Sequence, residues 1–440
     1  MNISSAVILA GGFGTRMTKK FPNTPKPLIP VNGVPILEHV INECKKNDIK
    51  EILCLLHYEP EKIIDYFGDG SKFGLSISYH IEKEPKGTAG ALLEVKSLLK
   101  ESFLVLYADV YSELNLKHFL NFHKNNDSEV SIIVHPNDHP FDSDIVIIDK
   151  HKNVKDFSCH PHHGKNLKNL VNAAVYVIDK SCLDEKFFIR RNKLDIAQDF
   201  FPALLKSGIN ISTYKTCEYI KDMGTPNRLL RVEQDIKNGV TNSRKLENCR
   251  RAIFLDRDGT INIENGHISS PDNMELIECA GRAIKKVNKS KFLAICITNQ
   301  PVIARGECTF EGLDEIHNKM ELELGKCNSY LDDIYFCPHH QDSGFDREIP
   351  ELKINCNCRK PKPGMLIEAK IDHNIDLDKS WFIGDSISDI EAANRVNCKS
   401  ILISNSDSFQ NSTNPIEKPT KVLPDIESAV NYILDVSENF

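Results

Sequence analysis

The 440-residue chain has no uninterrupted apolar run near the roughly 20 residues that cross a bilayer. Its longest are stretches such as Phe292 to Ile297, and no membrane-spanning helix is expected. Positive charge is not in excess: 55 Lys and Arg stand against 62 Asp and Glu, a formal charge of -7. That balance gives no general attraction to nucleic acid or an anionic membrane, so any phosphate must be gripped locally. The opening Met-Asn-Ile-Ser-Ser, running into Ala6 to Ala10, lacks a basic segment and a small-residue cleavage site, so no signal peptide is expected. A fixed-period repeat and a low-complexity tract are both missing, which excludes solenoid and collagen-like architectures. The 14 cysteines are scattered, and their only tight cluster has the spacing of metal ligands rather than of a disulfide framework. A reducing cytoplasm is the expected setting.

What is present is globular composition, 40% hydrophobic and 27% charged, in a chain long enough for two or three domains. Short apolar runs ending in Gly, Asp or Asn alternate with longer amphipathic stretches, the rhythm of βα units around a mainly parallel sheet. Strands are predicted at Ala6–Leu9, Ile52–Leu56, Ser76–Ile81, Phe103–Tyr107, Val130–Val134 and Ala173–Ile178. A polar stretch with Gly239, Asn242, Ser243 and several basic side chains then reads as a linker over 237–250. The rhythm restarts with Ala252–Leu255, Phe292–Ile297, Ile334–Phe336, Trp381–Ile383 and Ser400–Ile403. The expectation is two α/β domains, 1–236 and 251–440.

Directly after the first strand comes Leu9-Ala10-Gly11-Gly12-Phe13-Gly14-Thr15-Arg16-Met17, then Pro25-Lys26-Pro27-Leu28. Glycines let backbone N–H groups approach a bulky anion, and Arg16 and Lys26 supply countercharge. The final Gly-Lys-Ser/Thr of a P-loop is missing, and Met17 stands where a dinucleotide fingerprint has its third glycine, which disfavours both motifs.

These residues resemble the sugar-1-phosphate nucleotidylyltransferases, over about the first 230 positions. The resemblance implies a Rossmann-like, glycosyltransferase-A-like mixed sheet that joins a nucleoside triphosphate to a sugar phosphate and releases pyrophosphate. It implies nucleotide contacts from Gly11, Gly12, Gly14, Thr15, Arg16, Gly87 and Thr88, and a sugar-contacting turn at Asn172-Ala173-Ala174. Asp109 and Asp222 would hold Mg²⁺, while Arg16 and Lys26 would stabilise charge on the phosphates, as phosphoryl chemistry between anions requires. Where members of the family carry Glu-Lys-Pro, this chain reads Phe157-Ser158-Cys159-His160-Pro161-His162-His163. Lys165 or Lys168 is a candidate replacement for the missing lysine.

In the second half, Phe254-Leu255-Asp256-Arg257-Asp258-Gly259-Thr260 ends an apolar strand with carboxylates at i and i+2, which share a face on extended backbone. One acid suits attack on phosphorus, the other proton transfer, and two anions facing a phosphate imply a divalent cation. The pattern is similar to the haloacid dehalogenase-like phosphatases over about residues 250 to 404, which implies a second, Rossmannoid α/β domain. Asp256 would be the nucleophile, Asp258 the acid/base, Thr298 and Lys360 phosphate-binding groups, and Asp385 a Mg²⁺ ligand with Asp256 and Asp258, supported by Asp389.

Cys337, His339, Cys356 and Cys358 form a C-x-H…C-x-C set suited to structural Zn²⁺, with His340 as an alternative donor. This loop resembles that of the D-glycero-D-manno-heptose 1,7-bisphosphate 7-phosphatases and histidinol phosphatases, and the residues around it look more like the heptose branch. That likeness implies substrate contacts from Gly266, His267, Asn299, Gln300, Arg305, Arg359 and Lys360. Together the two resemblances imply consecutive reactions: removal of the 7-phosphate from a heptose bisphosphate, then nucleotidyl transfer, GMP from GTP, to the heptose 1-phosphate. The alternatives are a nucleotide-sensing first domain on an active phosphatase, and a histidinol-phosphate phosphatase fused to another transferase. Small molecules are the expected partners, not nucleic acid or membrane.

Overall fold

Strands buried on both faces must be apolar throughout, and that is how the central strands of both halves are built. The computed structural model describes residues 3–14, 16–17, 20–126, 128–162, 166–188, 192–405 and 414–438. They divide into two compact units. One is made of Met1–His135, Ser143–His162 and Leu170–Lys245; the other is Leu246–Phe440 with the short stretches Pro136–Asp142 and His163–Asn169.

The first unit runs β1 (Ser5–Leu9), a two-residue pair β2 (Pro30–Val31) and β3 (Val34–Pro35), α1 (Ile36–Lys46), β4 (Glu51–Leu56), α2 (Pro60–Phe67), β5 (Ser76–Ile81) and α3 (Gly87–Glu94). It continues with β6 (Ser102–Tyr107), β7 (Val110–Glu113), α4 (Leu116–Asn125), β8 (Val130–His135), the hairpin β9 (Ile145–Ile148) and β10 (Val154–Ser158), and β11 (Val171–Asp179). After these come α5 (Phe201–Lys206), β12 (Ile211–Lys215), β13 (Tyr219–Asp222), α6 (Pro226–Lys237) and α7 (Val240–Ser243).

The main sheet is mixed. β1, β4, β5 and β6 run parallel, while β11 lies antiparallel to β6, β8 and β9. Alternate residues of β1 feed two cores: Ala6 and Ile8 enter one, Val7 the other. The stretch expected to be an irregular linker carries α7 instead, and Lys245 Nζ reaches Glu113 at 3.0 Å, so the ordered first unit extends to that point.

The second unit contains β14 (Arg251–Leu255), α8 (Ala280–Asn288), β15 (Phe292–Asn299), α9 (Phe310–Lys326), β16 (Asp333–Cys337), α10 (Gly364–His373), β17 (Trp381–Gly384), α11 (Ile387–Asn394), β18 (Lys399–Ile403), β19 (Lys421–Leu423) and α12 (Ile426–Glu438). Its six strands are ordered β16-β15-β14-β17-β18-β19, and every pair is parallel. The chain moves outward one way from β14 and returns on the other side at β17, a switch point that opens a crevice at the carboxyl ends of the strands. Among the described residues, no helix is long and apolar enough to cross a membrane.

Candidate active sites

The crevice of the second unit is a cavity of about 420 Å³. It collects Asp256 and Asp258 from the end of β14, Thr298, Asn299 and Gln300 from the end of β15, and Asp385 from the end of β17, with Gly266, His267, Arg359 and Lys360 from loops. Gly259 makes the convergence feasible: its φ is +75° and a Cβ there would stand 1.9 Å from Asp385 Oδ2. Lys360, 4% exposed, lies at the centre. Its Nζ is 2.7 Å from Asp256 Oδ1 and 2.6 Å from Asp389 Oδ1, and it donates to the Ile297 carbonyl at 2.9 Å. Asp389 is fixed by a capping box at the start of α11, where its carboxylate accepts from Ser386 N–H and Oγ–H.

Asp256, Asp385 and Asp389 bring carboxylate oxygens within 4.8 Å of one another. With one lysine among three acids, the charge does not balance. Burial, and then the Asp389 anion, push the Asp256 carboxyl up to about 8 against the opposing Lys360. Burial, with Asp389 and Glu264, pushes Asp385 up to about 6. Burial alone would lower Lys360, but Asp256 and Asp389 outweigh it and hold the ammonium charged. All-oxygen donors with surplus negative charge fit a hard divalent cation such as Mg²⁺.

Asp258, expected among the Mg²⁺ ligands, does not join this cluster. Its carboxylate accepts from Arg257 Nε (3.1 Å) and Nη2 (3.0 and 2.9 Å), Asn262 Nδ2 (3.0 Å) and Gln300 Nε2 (2.9 Å). These donors occupy both of its oxygens, and the third acid of the cluster is Asp389. Gln300 also donates to Thr298 Oγ1 at 2.8 Å. Asn299, expected to touch substrate, uses both ends of its amide on the Lys360 backbone, at 3.1 and 3.0 Å. Arg305 does not line the cavity. It reaches the rim through His267 (2.7 Å) and holds His340 Nε2 at 3.1 Å.

The four expected zinc ligands do meet. Cys337 Sγ lies 3.5 Å from Cys356 Sγ and 3.2 Å from Cys358 Sγ, and His339 Nδ1 is 3.2 Å from Cys358 Sγ. These separations are near the edges of a tetrahedron with metal–sulfur bonds of about 2.3 Å. Burial pushes Cys337 up, whereas hydrogen bonds to Cys356, among them Arg359 N–H at 3.3 Å, outweigh its burial and hold that thiol down. His340, turned to Arg305, stays outside. The cluster pins the backbone at Arg359, immediately before Lys360.

In the first unit, a cavity of about 320 Å³ is lined by Gly11, Gly12, Phe13, Lys26, Gly87, Thr88, Tyr107, Asp109 and Glu82, among others. Gly14 (φ +61°) turns the loop against Lys26, whose Cβ would lie 3.0 Å from an added Cβ. Gly87 (φ +79°) presses on the Leu194 carbonyl, and Thr88 Oγ–H donates to Asp195 at 2.9 Å. Lys26 Nζ is ion-paired to Asp109. Asp222 enters through β13, which pairs with β7 so that Met223 N–H donates to the Asp109 carbonyl at 2.9 Å. Its carboxylate is held by Arg228 Nη1 at 2.7 and 2.8 Å.

Several expected residues therefore stand apart from this cavity. Gly14, Arg16, Asn172 and Asp222 do not line it. Arg16 Nη2 lies beside Gly224, next to Asp222. Asn172, expected in a turn, sits within strand β11 at a register shift, its Oδ1 accepting from Ala174 N–H at 3.2 Å, with Ala174 at φ +57°. Lys168 does not line the first cavity; it belongs to the second unit, where burial raises the Asp314 carboxyl and lowers His317, and the Lys168 charge lowers both. Thr15 and Lys165 lie outside the described residues. Among the described residues, Asp109 and Asp222 belong to no cluster of three or more metal-ligating side chains.

Sequence reading missed Glu82 and Glu264. Glu82, 8% exposed, accepts Lys86 N–H on Oε1 at 3.2 Å while Oε2 lies beside Gly11 at the cavity. Its only sequence signal is a place five residues before Gly87. Glu264 lines the cavity of the second unit from the same loop as Gly266 and His267.

The profile of the nucleotidyl transferase family matches residues 5–239, and that of the HAD-hydrolase-like family matches residues 357–429. D-glycero-beta-D-manno-heptose-1,7-bisphosphate 7-phosphatase of Yersinia pestis is 41% identical over 142 residues, 32% of this chain and 73% of that protein. The protein of the same name from Escherichia coli is 34% identical over 184 residues, 42% of this chain and 88% of its own. Mannose-1-phosphate guanylyltransferase of Mycobacterium tuberculosis is 30% identical over 247 residues, 56% of this chain and 68% of that protein.

Proposed function

Because the chain belongs to the nucleotidyl transferase family through residues 5–239 and to the heptose-bisphosphate 7-phosphatases through its second half, we propose that it is a bifunctional enzyme of nucleotide-activated heptose synthesis. The second unit hydrolyses the 7-phosphate of D-glycero-D-manno-heptose 1,7-bisphosphate. The first transfers a nucleotidyl group to the resulting 1-phosphate and releases pyrophosphate.

The observation that carries the phosphatase reading is the placement of Lys360 against Asp256, with Asp258 beside them in one cavity. An Asp256 oxygen attacks phosphorus as the bond to the sugar oxygen breaks, and Asp258 gives that oxygen its proton. Asp258 then takes a proton from water as the water oxygen displaces Asp256, freeing phosphate. Thr298 and Lys360 hold the phosphoryl oxygens. Asp256 and Asp385 would hold Mg²⁺, which supplies charge neutralisation between the acids and the phosphate. Cys337, His339, Cys356 and Cys358 would hold Zn²⁺ as a closed structural site, in a cytoplasmic setting that keeps the thiols reduced.

In the first unit, Lys26 and Arg16 steady the phosphates while the sugar phosphate oxygen attacks the α-phosphorus, and Asp109 and Asp222 would hold Mg²⁺. We read the nucleotide as GTP. A buried carboxylate such as Glu82 needs donors, and guanine offers two adjacent ones, N1–H and the N2 amino group. Uracil and thymine offer one flanked by acceptors, and adenine and cytosine an amino group beside an acceptor. The likeness to a mannose-1-phosphate guanylyltransferase supports the same choice.

The test supplies heptose 1,7-bisphosphate with each of four nucleoside triphosphates and follows phosphate and pyrophosphate separately. Phosphate should appear without nucleotide, and pyrophosphate only with GTP. Pyrophosphate with none of the four would favour a sensing role for the first unit, to which its internally paired Asp109 and Asp222 also lend themselves.

A further inference from the structure

Arg257 separates the two acids of the β14 motif, and neither the motif nor the reaction above uses it. It is among the largest fully buried side chains of the molecule, at 0% exposure. A buried guanidinium is tolerated only with a partner that satisfies it, because desolvating an unpaired charge costs several kcal/mol. Its only ion-pair partner among the described residues is Asp258, bound through Nε and Nη2 by three hydrogen bonds of 2.9 to 3.1 Å. Adjacent residues point apart on a strand, so this pairing needs the chain to leave extended geometry at once. It does: the Arg257 carbonyl accepts from Ile261 and Asn262 N–H at 2.8 and 3.0 Å, closing a turn through Gly259.

Behind the guanidinium, Nη1 meets Nε2 of His317 at 3.4 Å. Burial, then the charge of Arg257, lowers His317 well below its ordinary range, so the ring is neutral and presents a lone pair rather than a competing charge. Arg257 is thus held from one side by a neutral acceptor on α9 and grips Asp258 on the other. A planar fork bound side-on fixes the direction of a carboxylate, which a point charge does not.

Resting on the phosphatase reading above, we propose that Arg257, backed by His317, is a positioning residue that fixes the carboxylate of Asp258 where it exchanges a proton with the leaving oxygen and then with water. Asn262 and Gln300 each contribute one further bond, so without Arg257 the carboxylate keeps two of its five anchors.

The test uses the full chain with p-nitrophenyl phosphate, whose leaving group departs without a proton while hydrolysis of the phosphoaspartate still needs Asp258. Arg257→Met should form the phosphoaspartate at close to the normal rate. It should release one burst equivalent of nitrophenolate per site and then turn over about 100-fold slower than wild type. KM should fall together with kcat, so that kcat/KM, which reports binding and phosphoaspartate formation, stays within about threefold of wild type because the substrate contacts remain. Should Arg257→Met fail to fold, Arg257→Lys keeps charge and loses the fork, with the same burst and a loss of about tenfold. Equal slowing of burst and steady state, or a Lys variant that turns over like wild type, would overturn the proposal and leave Arg257 a packing residue. Phosphate release from heptose 1,7-bisphosphate by the wild type tests the underlying reading separately, since the aryl ester reports on Arg257 whatever sugar the site takes.

Discussion

The two cavities treat their acids in opposite ways. In the second unit, Asp256, Asp385 and Asp389 share the single ammonium of Lys360. In the first unit, Lys26 pairs with Asp109 at the cavity, and Arg228 with Asp222 outside its lining. Two like unit charges 4 Å apart repel by about 4 kcal/mol at an effective dielectric of 20, which suffices to drive protons onto buried carboxylates. The second site is therefore a seat short of one cation before any substrate arrives. The first holds Asp109 and Asp222 in one-to-one pairs as it stands, and on the reading proposed above they would become ligands when an incoming triphosphate competes for Lys26. On that reading one site is built ahead of its substrate, and the other would be completed by it.

The sharpest way to break that contrast is to remove one acid from each side. Asp256→Asn should lower phosphate release by at least about 10⁴-fold, since the attacking atom is gone, and leave pyrophosphate release intact. Asp109→Ala should lower pyrophosphate release by about 10² to 10³-fold and spare phosphate release. If either variant, still folded, silences both reactions, the sites are not independent. A smaller effect is expected from the zinc cluster. Cys356→Ser should cost phosphate release about 10 to 100-fold by loosening Arg359 and Lys360, with the transferase unaffected. Elemental analysis should find one zinc per chain that survives removal of Mg²⁺, and folded, active protein without zinc would refute the assignment.

Much of this was legible because both-face burial writes itself as short apolar runs. Ser76–Ile81 coincides with β5, and Trp381–Ile383 and Ser400–Ile403 fall within β17 and β18. β11, whose antiparallel pairing with β6 makes the first sheet mixed, is the predicted strand Ala173–Ile178, but β10, β12 and β13 were not read. β10 (Val-Lys-Asp-Phe-Ser) is short and half exposed, and β12 and β13 lack long apolar runs, so their period carried little signal. The four zinc ligands were legible because i, i+2 pairs at two points in the chain constrain the geometry themselves. The orientation of Asp258 was not, because it depends on how Arg257 and Asn262 fold back within its own turn and on Gln300 arriving from the end of β15. Side-by-side placement of Asp109 and Asp222, 113 positions apart, follows from the β7–β13 pairing, which no local pattern announces.

The surplus charge of the second site also gives it a pH signature. In the metal-free fold Asp256 sits at about 8 and Asp385 at about 6, each above its ordinary value of 3.8. Raised carboxyl values mean the unfolded chain gives up these protons first, so metal-free stability falls as pH rises from about 4 to 8. Below its raised value each carboxyl holds a proton that Mg²⁺ must displace. Mg²⁺ affinity measured calorimetrically should therefore rise between pH 6 and 8, by at most about tenfold per unit for each proton released. A flat affinity across that range would mean that Lys360 already neutralises the cluster and that the surplus is not real.

The smallest expected effect probes the other side of the contrast. Arg228 grips both oxygens of Asp222 from the first turn of α6, and that pairing has two readings. If it anchors the helix, Arg228→Met costs stability and leaves the metal requirement unchanged. If Arg228 instead masks a ligand, the same change unmasks it, and the Mg²⁺ concentration giving half-maximal pyrophosphate release should fall a few-fold. The helix has an independent hold: Thr225 Oγ accepts Arg228 N–H, and Leu229 and Val232 are buried in the core beside it. A pair at 20% and 35% side-chain exposure is partly wet, so the stability lost with it should be about 1 kcal/mol or less. The masked-ligand outcome is therefore expected, a lower Mg²⁺ requirement with little change in melting temperature. A large drop in stability with no change in metal requirement would show that Asp222 belongs to the framework, and that the first site draws its metal ligands from Asp109 and the substrate alone.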